Sequence, residues 1–202
     1  MEGLRERKKR ETRDAIAAAA LALFLERGFD AVTVVDVAVA ANVSEKTVFN
    51  YFATKEDLVF ANAEEKLFER AEAIRLRSPG TPLSRVFLAD TLRFLDAIEA
   101  GEVDRAMTVP RLVRASPALR GRLMLAWELE AATLTAAVTD DEDDLIAAAA
   151  VRSLVWANRV VFRAAMRRLI GGEDPADVAR DLRAEAERVY AQLDLGLAGY
   201  GA

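Results

Sequence analysis

The chain is expected to be all-α, about nine helices, with a three-helix helix-turn-helix module at 1–57 and a larger helical domain at 58–202. Three features of the sequence lead there. Helix-capping residues recur at close intervals between Thr33 and Asp57, cap-and-proline pairs punctuate the rest, and no pair of alternating strands is found.

The first helix carries the apolar run Ala15 to Leu25, with Ile16, Ala20, Leu23 and Phe24 at helical spacing and Gly28 as its C-cap. Preceded by basic residues, this run imitates a signal peptide. It continues into Glu26-Arg27-Gly28 without a small-residue cleavage site and is about half the ~20 residues that span a bilayer. No other segment reads as membrane-spanning, so a cytoplasmic protein is expected.

The stretch Ala31 to Ala40 is β-branched enough to read as a strand, but its caps favour helix. Thr33 with Asp36 forms a capping box for the second helix, and Asn42 tolerates the left-handed conformation of a tight turn. Ser44 caps the third helix, about two turns long to Phe52, and Thr54 with Asp57 forms a box for the fourth. On the third helix Val48 and Phe52 are four apart and point inward. Lys46, Thr47 and Asn50 point outward, with Phe49 and Tyr51 alongside. Lys and Asn carry donors suited to phosphates and base edges, and the Thr methyl suits a thymine methyl. A solvated helix in an ordinary bundle would not need so tightly timed a turn.

These residues resemble the TetR/AcrR family of bacterial repressors. The likeness is carried by Glu26-Arg27-Gly28-Phe29-Asp30, then Thr33, Val37, Ala38, Ala41, Val43, Ser44, Thr47, Val48, Phe49, Tyr51, Phe52, Lys55, Glu56 and Leu58. It is gap-free and covers about the first quarter of the chain. Asn42 stands where the family has a turn glycine, and Phe49 stands where tyrosine is common, which removes a hydroxyl. The resemblance implies a double-stranded DNA operator as partner. Thr33 would offer its hydroxyl or amide to phosphate, Ser44 would join the DNA-contacting set, Lys46, Thr47 and Asn50 would touch bases, and Tyr51 and Lys55 would clamp phosphates.

Composition narrows the chemistry. With 202 residues, 52% hydrophobic and 30% charged, the chain can bury a sizeable core beneath a solvated surface. It has no cysteine and no histidine, which removes thiol chemistry and the commonest general base and metal ligand; no cofactor, metal or enzymatic activity is expected. The net charge of −5 is unevenly distributed. Residues 1–13 hold Arg5, Arg7, Lys8, Lys9, Arg10 and Arg13 against Glu2, Glu6 and Glu11, a local positive surplus suited to phosphate; a frayed, solvated arm is the alternative.

Helix four is expected from about Lys55 to Leu76, with Phe60, Ala63, Leu67, Ala71 and Ile74 on one stripe and Ser78-Pro79-Gly80 ending it. Thr81-Pro82 opens the next helix, to about Ala100; a short one follows from Met107 to Ala115, and Ser116-Pro117 starts another that ends near Val138. Asp140–Asp144 and Asp174-Pro175 open the last two, the first ending at Gly171-Gly172. The acids at 140–144 read as a cap stabilised by the helix dipole more readily than as a metal site.

In the second domain polar residues interrupt apolar stripes: Asp90 between Phe87 and Phe94, Glu130 between Trp127 and Leu134, and Asn158 between Leu154 and Phe162. With Met124 and Trp156 they suggest an apolar pocket with a few orienting polar groups, or polar groups that satisfy one another. The resemblance implies a pocket for a small-molecule effector in this domain. Phe87, Asp90, Phe94, Met124, Trp127, Glu130, Asn158 and Phe162 are its expected lining. The Asp144–Ile170 helix is apolar on two faces: Ala147, Val151, Leu154, Asn158 and Phe162 can meet its own core, and Ile146, Ala150, Ser153, Ala157, Val160 and Ala164 can meet another partner. The family's homodimer, a four-helix bundle of the final two helices, supplies one.

A ligand-responsive DNA-binding transcriptional regulator, acting as a repressor, is therefore expected. The alternatives are a metal-dependent hydrolase using 140–144 and a helical ligand-binding protein without DNA binding.

Overall fold

The computed structural model describes residues 3–196, except the side chain of residue 105; Glu2 of the basic arm lies outside them. Among the described residues there are nine α-helices, one 3-10 turn and no strand. They form two compact units.

The first unit comprises residues 1–64 with 108–125. It thus extends past the expected boundary at 57 and takes in a later segment. Helix α1 (Leu4–Arg27) ends where Gly28 adopts φ 85°, a backbone that only glycine takes without strain. Helices α2 (Val34–Ala40) and α3 (Glu45–Tyr51) follow, then the 3-10 turn Glu56–Leu58 and the start of α4 (Ala63–Arg75). Parts of α6 (Val103–Ala115) and α7 (Pro117–Ala136) complete the unit. One core joins them: Ile16, Ala20 and Phe24 of α1 meet Val37 of α2, Val48 and Phe52 at α3, and Leu58, Leu112 and Leu119. The β-branched stretch is helical as its caps demand.

Helix four does not run unbroken from Lys55. Leu58, Val59 and Ala61 are all buried, at 0%, 3% and 5% exposure, and three positions so close cannot share one face of an α-helix. The chain turns through 59–62 to bury them. The Thr54–Asp57 capping box forms, with Thr54 N donating to Asp57 at 3.0 Å and Asp57 N to Thr54 Oγ1 at 3.3 Å, but it caps the 3-10 turn. On α4 itself Ala71 and Ile74 are buried, whereas Ala63 is exposed.

The second unit comprises residues 65–107 with 126–202. Helix α5 (Ser84–Glu99) starts two residues after Pro82, which sits in a preceding turn. Helix α6 starts at Val103, earlier than expected. Helices α8 (Leu145–Ile170) and α9 (Pro175–Gly196) pack together and against α5. By length and apolarity α8 could cross a membrane. Here its Ala147, Val151, Leu154, Val155, Val161 and Ala165 are core residues, and Arg152, Arg159 and Arg163 interrupt it.

The second face of α8 divides. Ala150 and Ala157 are buried within the unit, at 0% and 6% exposure, because small side chains let neighbouring helices close over them. Ile146, Ser153 and Val160 remain exposed, beside Trp156.

Candidate functional site

The turn between α2 and α3 is built as its caps require. Thr33 Oγ1 accepts from Asp36 N at 3.1 Å while Thr33 N donates to the Asp36 carboxylate at 2.7 Å, a reciprocal capping box. These bonds hold the Asp36 carboxyl below its ordinary pKa, with Thr33 as the main cause. Both Thr33 donors are spent on Asp36, so a phosphate there must compete with that carboxylate. Asn42 adopts φ 53°, the left-handed backbone expected of it, and Val43 N closes the turn onto Ala38 O at 2.9 Å.

Ser44 caps α3 by accepting from Thr47 N at 3.0 Å, and its hydroxyl also meets Thr47 Oγ1 at 2.7 Å. The two hydroxyls are thus occupied with each other, which leaves the Thr47 methyl as the free chemistry of a half-buried side chain. Val48 and Phe52 anchor the inner face at 1% and 3% exposure. Lys46, Phe49 and Asn50 stand exposed on the outer face, and Tyr51 is half-buried against the core. One α-helical ridge therefore offers an ammonium, an aromatic face and an amide together, a set able to meet phosphate, a thymine methyl and a base edge.

Lys55 is half-buried, its ammonium 4.2 Å from the centre of the Phe29 ring. Arg13 of α1 lies 5.0 Å above the Phe52 ring at the end of α3. Asp57 accepts from Arg122 Nε at 2.9 Å, and Asp30 accepts from Ser116 Oγ at 3.1 Å, so polar pairs fasten 108–125 to the rest of the unit.

The polar residues singled out in the second unit do meet, through arginines that the sequence reading passed over. Arg70 of α4 donates through Nε to Asp90 of α5 and through Nη1 to Glu130 of α7. Arg159 of α8 donates to the other Glu130 oxygen at 2.6 Å, and Arg93 pairs with the second oxygen of Asp90. Except for Arg93, these side chains are at most 23% exposed. Burial is the main influence on Arg159, lowering its pKa against the attraction of Glu130. Its guanidinium lies 4.2 Å over Trp127, and that of Arg70 lies 5.5 Å from Phe87.

Asn158 belongs to an adjoining network. It donates to Thr91 Oγ1 at 2.9 Å, Thr91 donates to Phe87 O at 3.0 Å, and Tyr190 OH stands 3.1 Å from the same hydroxyl. With its single proton committed to Phe87, Thr91 accepts from both Asn158 and Tyr190. Burial raises the Tyr190 pKa. Among the described residues no buried side-chain nitrogen or oxygen lacks a partner.

Phe87, Asp90, Trp127, Glu130 and Asn158 are thus gathered around Arg70, Arg159 and Thr91. Phe94 and Phe162 stack on each other at 4.9 Å beside a separate apolar cluster, and Met124 belongs to the first unit. The signal for the missed hub was Asn158-Arg159, two strongly polar residues in the middle of an apolar helix. In the acidic run, Asp144 caps α8 by accepting from Ala147 N at 2.8 Å, and no group of carboxylates able to hold a metal occurs among the described residues.

Residues 16–61, from α1 to the turn before α4, match the family model for bacterial regulatory proteins, tetR family. The HTH-type transcriptional regulator TcmR of Streptomyces glaucescens is 37% identical over 123 residues, 58% of this chain and 54% of that protein. The chain thus aligns with about half the length of this curated relative. Among solved structures, Salmonella enterica GusR is similar at a TM-score of 0.57 and 20% identity, covering 91% of this chain and 94% of its own. A TetR-family regulator from Streptomyces coelicolor is similar at 0.53 and 23%, covering 94% and 99%. These two likenesses concern the fold. Together with the capped α2–turn–α3 geometry, the matched segment shows that residues 16–61 are a regulatory domain of the tetR type, and the TcmR relative extends that similarity over 123 residues.

Proposed function

We propose that the protein is a homodimeric, cytoplasmic DNA-binding transcriptional regulator, a repressor that leaves its operator when a small apolar or amphipathic effector binds. The observation that carries this reading is the outer face of α3, where Lys46, Phe49 and Asn50 are exposed while Val48 and Phe52 hold the helix to the core. In this reading Lys46, Thr47 and Asn50 read bases; Thr33, Ser44, Tyr51 and Lys55 meet the backbone.

Effector recognition is assigned to the cluster around Trp127. Apolar walls with a few convergent polar groups suit an amphipathic molecule, which would exchange for one member of the Arg70–Glu130–Arg159 chain. Dimerisation is assigned to the α8–α9 surface, where an open groove is lined by Ser153, Trp156, Val160, Val189 and Leu193. Two copies bind two half-sites, and an effector that prefers the wrong half-site spacing shifts the population off the operator.

Selection of duplexes from a random pool by the purified protein tests the reading. A recovered site with two related half-sites, bound at least about a thousandfold tighter than random duplex, is the expected result. Recovery of no enriched sequence would remove the DNA-binding assignment.

A further inference from the structure

The amino-terminal turns of α1 carry a second feature. The first buried residue of α1 is Ile16, yet the helix begins at Leu4, so about three turns project beyond the core. Steps of four place Arg5, Lys9 and Arg13 on one ridge, which continues into Ala17 on the face that buries Ile16, Ala20 and Phe24. Arg13 fixes the direction of that face, since its guanidinium stacks on Phe52 at the end of α3. Of the neighbouring bases, Arg7 is paired with Glu11 along the helix. Arg5, Lys8 and Lys9 are exposed and have no ion-pair partner among the described residues. A chain of net charge −5 thus concentrates uncompensated positive charge on a preformed helix whose Arg13 reaches the end of α3.

We infer that the Arg5–Lys9 ridge is a second nucleic-acid contact, holding backbone phosphates of double-stranded DNA flanking the bases met by α3. It rests on the DNA-binding reading above and extends it to residues outside the helix-turn-helix. Guanidinium and ammonium groups at ~6 Å axial steps on a rigid helix meet successive phosphates without the ordering cost of a flexible arm. Such contacts add affinity and salt dependence but no sequence preference.

The test is fluorescence anisotropy of the full chain against a labelled random-sequence 40-base-pair duplex, titrated from 50 to 200 mM salt. Arg5→Gln with Lys9→Gln keeps helix propensity and removes two charges. The slope of log affinity against log salt is expected to flatten by about two, so the affinity loss across that range shrinks about tenfold. Arg5→Lys with Lys9→Arg restores the slope. Arg85→Gln with Arg180→Gln, the same charge change in the second unit, leaves it unaltered. An unchanged slope for the Arg5/Lys9 variant, or an equal change for the Arg85/Arg180 variant, overturns the inference while wild-type binding stands. Wild-type protein that binds neither this duplex nor any selected one overturns the DNA-binding reading itself, and the inference with it.

Discussion

Lys55 lies with its ammonium 4.2 Å from the centre of the Phe29 ring, and Phe29 in turn packs on Phe24 with ring centres 5.0 Å apart. The cation assigned to a DNA phosphate is therefore positioned by the aromatic end of α1. An ammonium on a ring face stays half-open, so it can serve the fold and a phosphate together. Lys55→Ala is expected to cost about 0.5–1 kcal/mol of stability and to lower the salt slope of DNA binding by about one. Thermal melting and salt titration check the two effects separately. A slope unchanged despite a lower melting temperature would leave Lys55 with the structural role alone.

Asn50 is exposed on the outer face of α3 and makes no side-chain hydrogen bond among the described residues, so its amide is available to a base edge. Asn50→Ala is expected to cost about 1–3 kcal/mol on the selected operator and little on random duplex, relaxing preference at one base pair per half-site. Equal losses on both duplexes would reassign Asn50 to the backbone.

The capping box of α2 gives a signed pH dependence. Thr33 holds the Asp36 carboxyl below its ordinary pKa in the folded state, so the unfolded chain takes up this proton first. The stabilisation is complete above the ordinary carboxylate value and fades as pH falls through the lowered one. Asp36→Asn should therefore lower the urea midpoint at pH 7, with the gap from wild type closing as pH falls below 3.8. A gap that stays constant to pH 2 would show that the carboxylate charge contributes nothing.

The α2–turn–α3 geometry was legible because its determinants are local. Thr33, Asp36, Asn42 and Ser44 each act on backbone within a few residues, and each conformation is found as expected. The start of α4 was not, since the Thr54–Asp57 box caps a 3-10 turn as readily as an α-helix and the decision lies with the burial of Leu58, Val59 and Ala61. The partners of Asp90 and Glu130 were hidden for the same reason. Arg70 is 20 residues from Asp90 and 60 from Glu130, separations at which periodicity says nothing.

Arg70 is the hub that makes two carboxylates tolerable in a largely buried site. Removing it leaves each carboxylate one partner short, Asp90 with Arg93 alone and Glu130 with Arg159 alone. Arg70→Met is therefore expected to destabilise the fold by about 3 kcal/mol, the lower end of the range because those partners remain. Adding Asp90→Asn, whose other partner Arg93 is exposed, removes one under-paired charge and should recover part of that loss. Denaturant titration of the single and double variants measures both. A double variant no more stable than Arg70→Met would mean that lost packing on Phe87, not under-paired charge, sets the cost.

The assigned dimer surface is best probed at Val160. Ala157 looks equivalent by spacing, but at 6% exposure it belongs to the core of its own subunit, so a glutamate there would unfold the chain and say nothing about assembly. Val160, 48% exposed on the rim of the α8–α9 groove, can accept a charge in the free subunit at little cost. In a packed dimer the same charge is desolvated without a partner, a penalty of about 3 kcal/mol, or a hundredfold in the dimer constant. Wild type should therefore sediment as a dimer at micromolar concentration, and Val160→Glu should shift toward the 22.1 kDa monomer with an unchanged helical spectrum. A Val160→Glu chain that still sediments as a tight dimer would move the interface away from this groove.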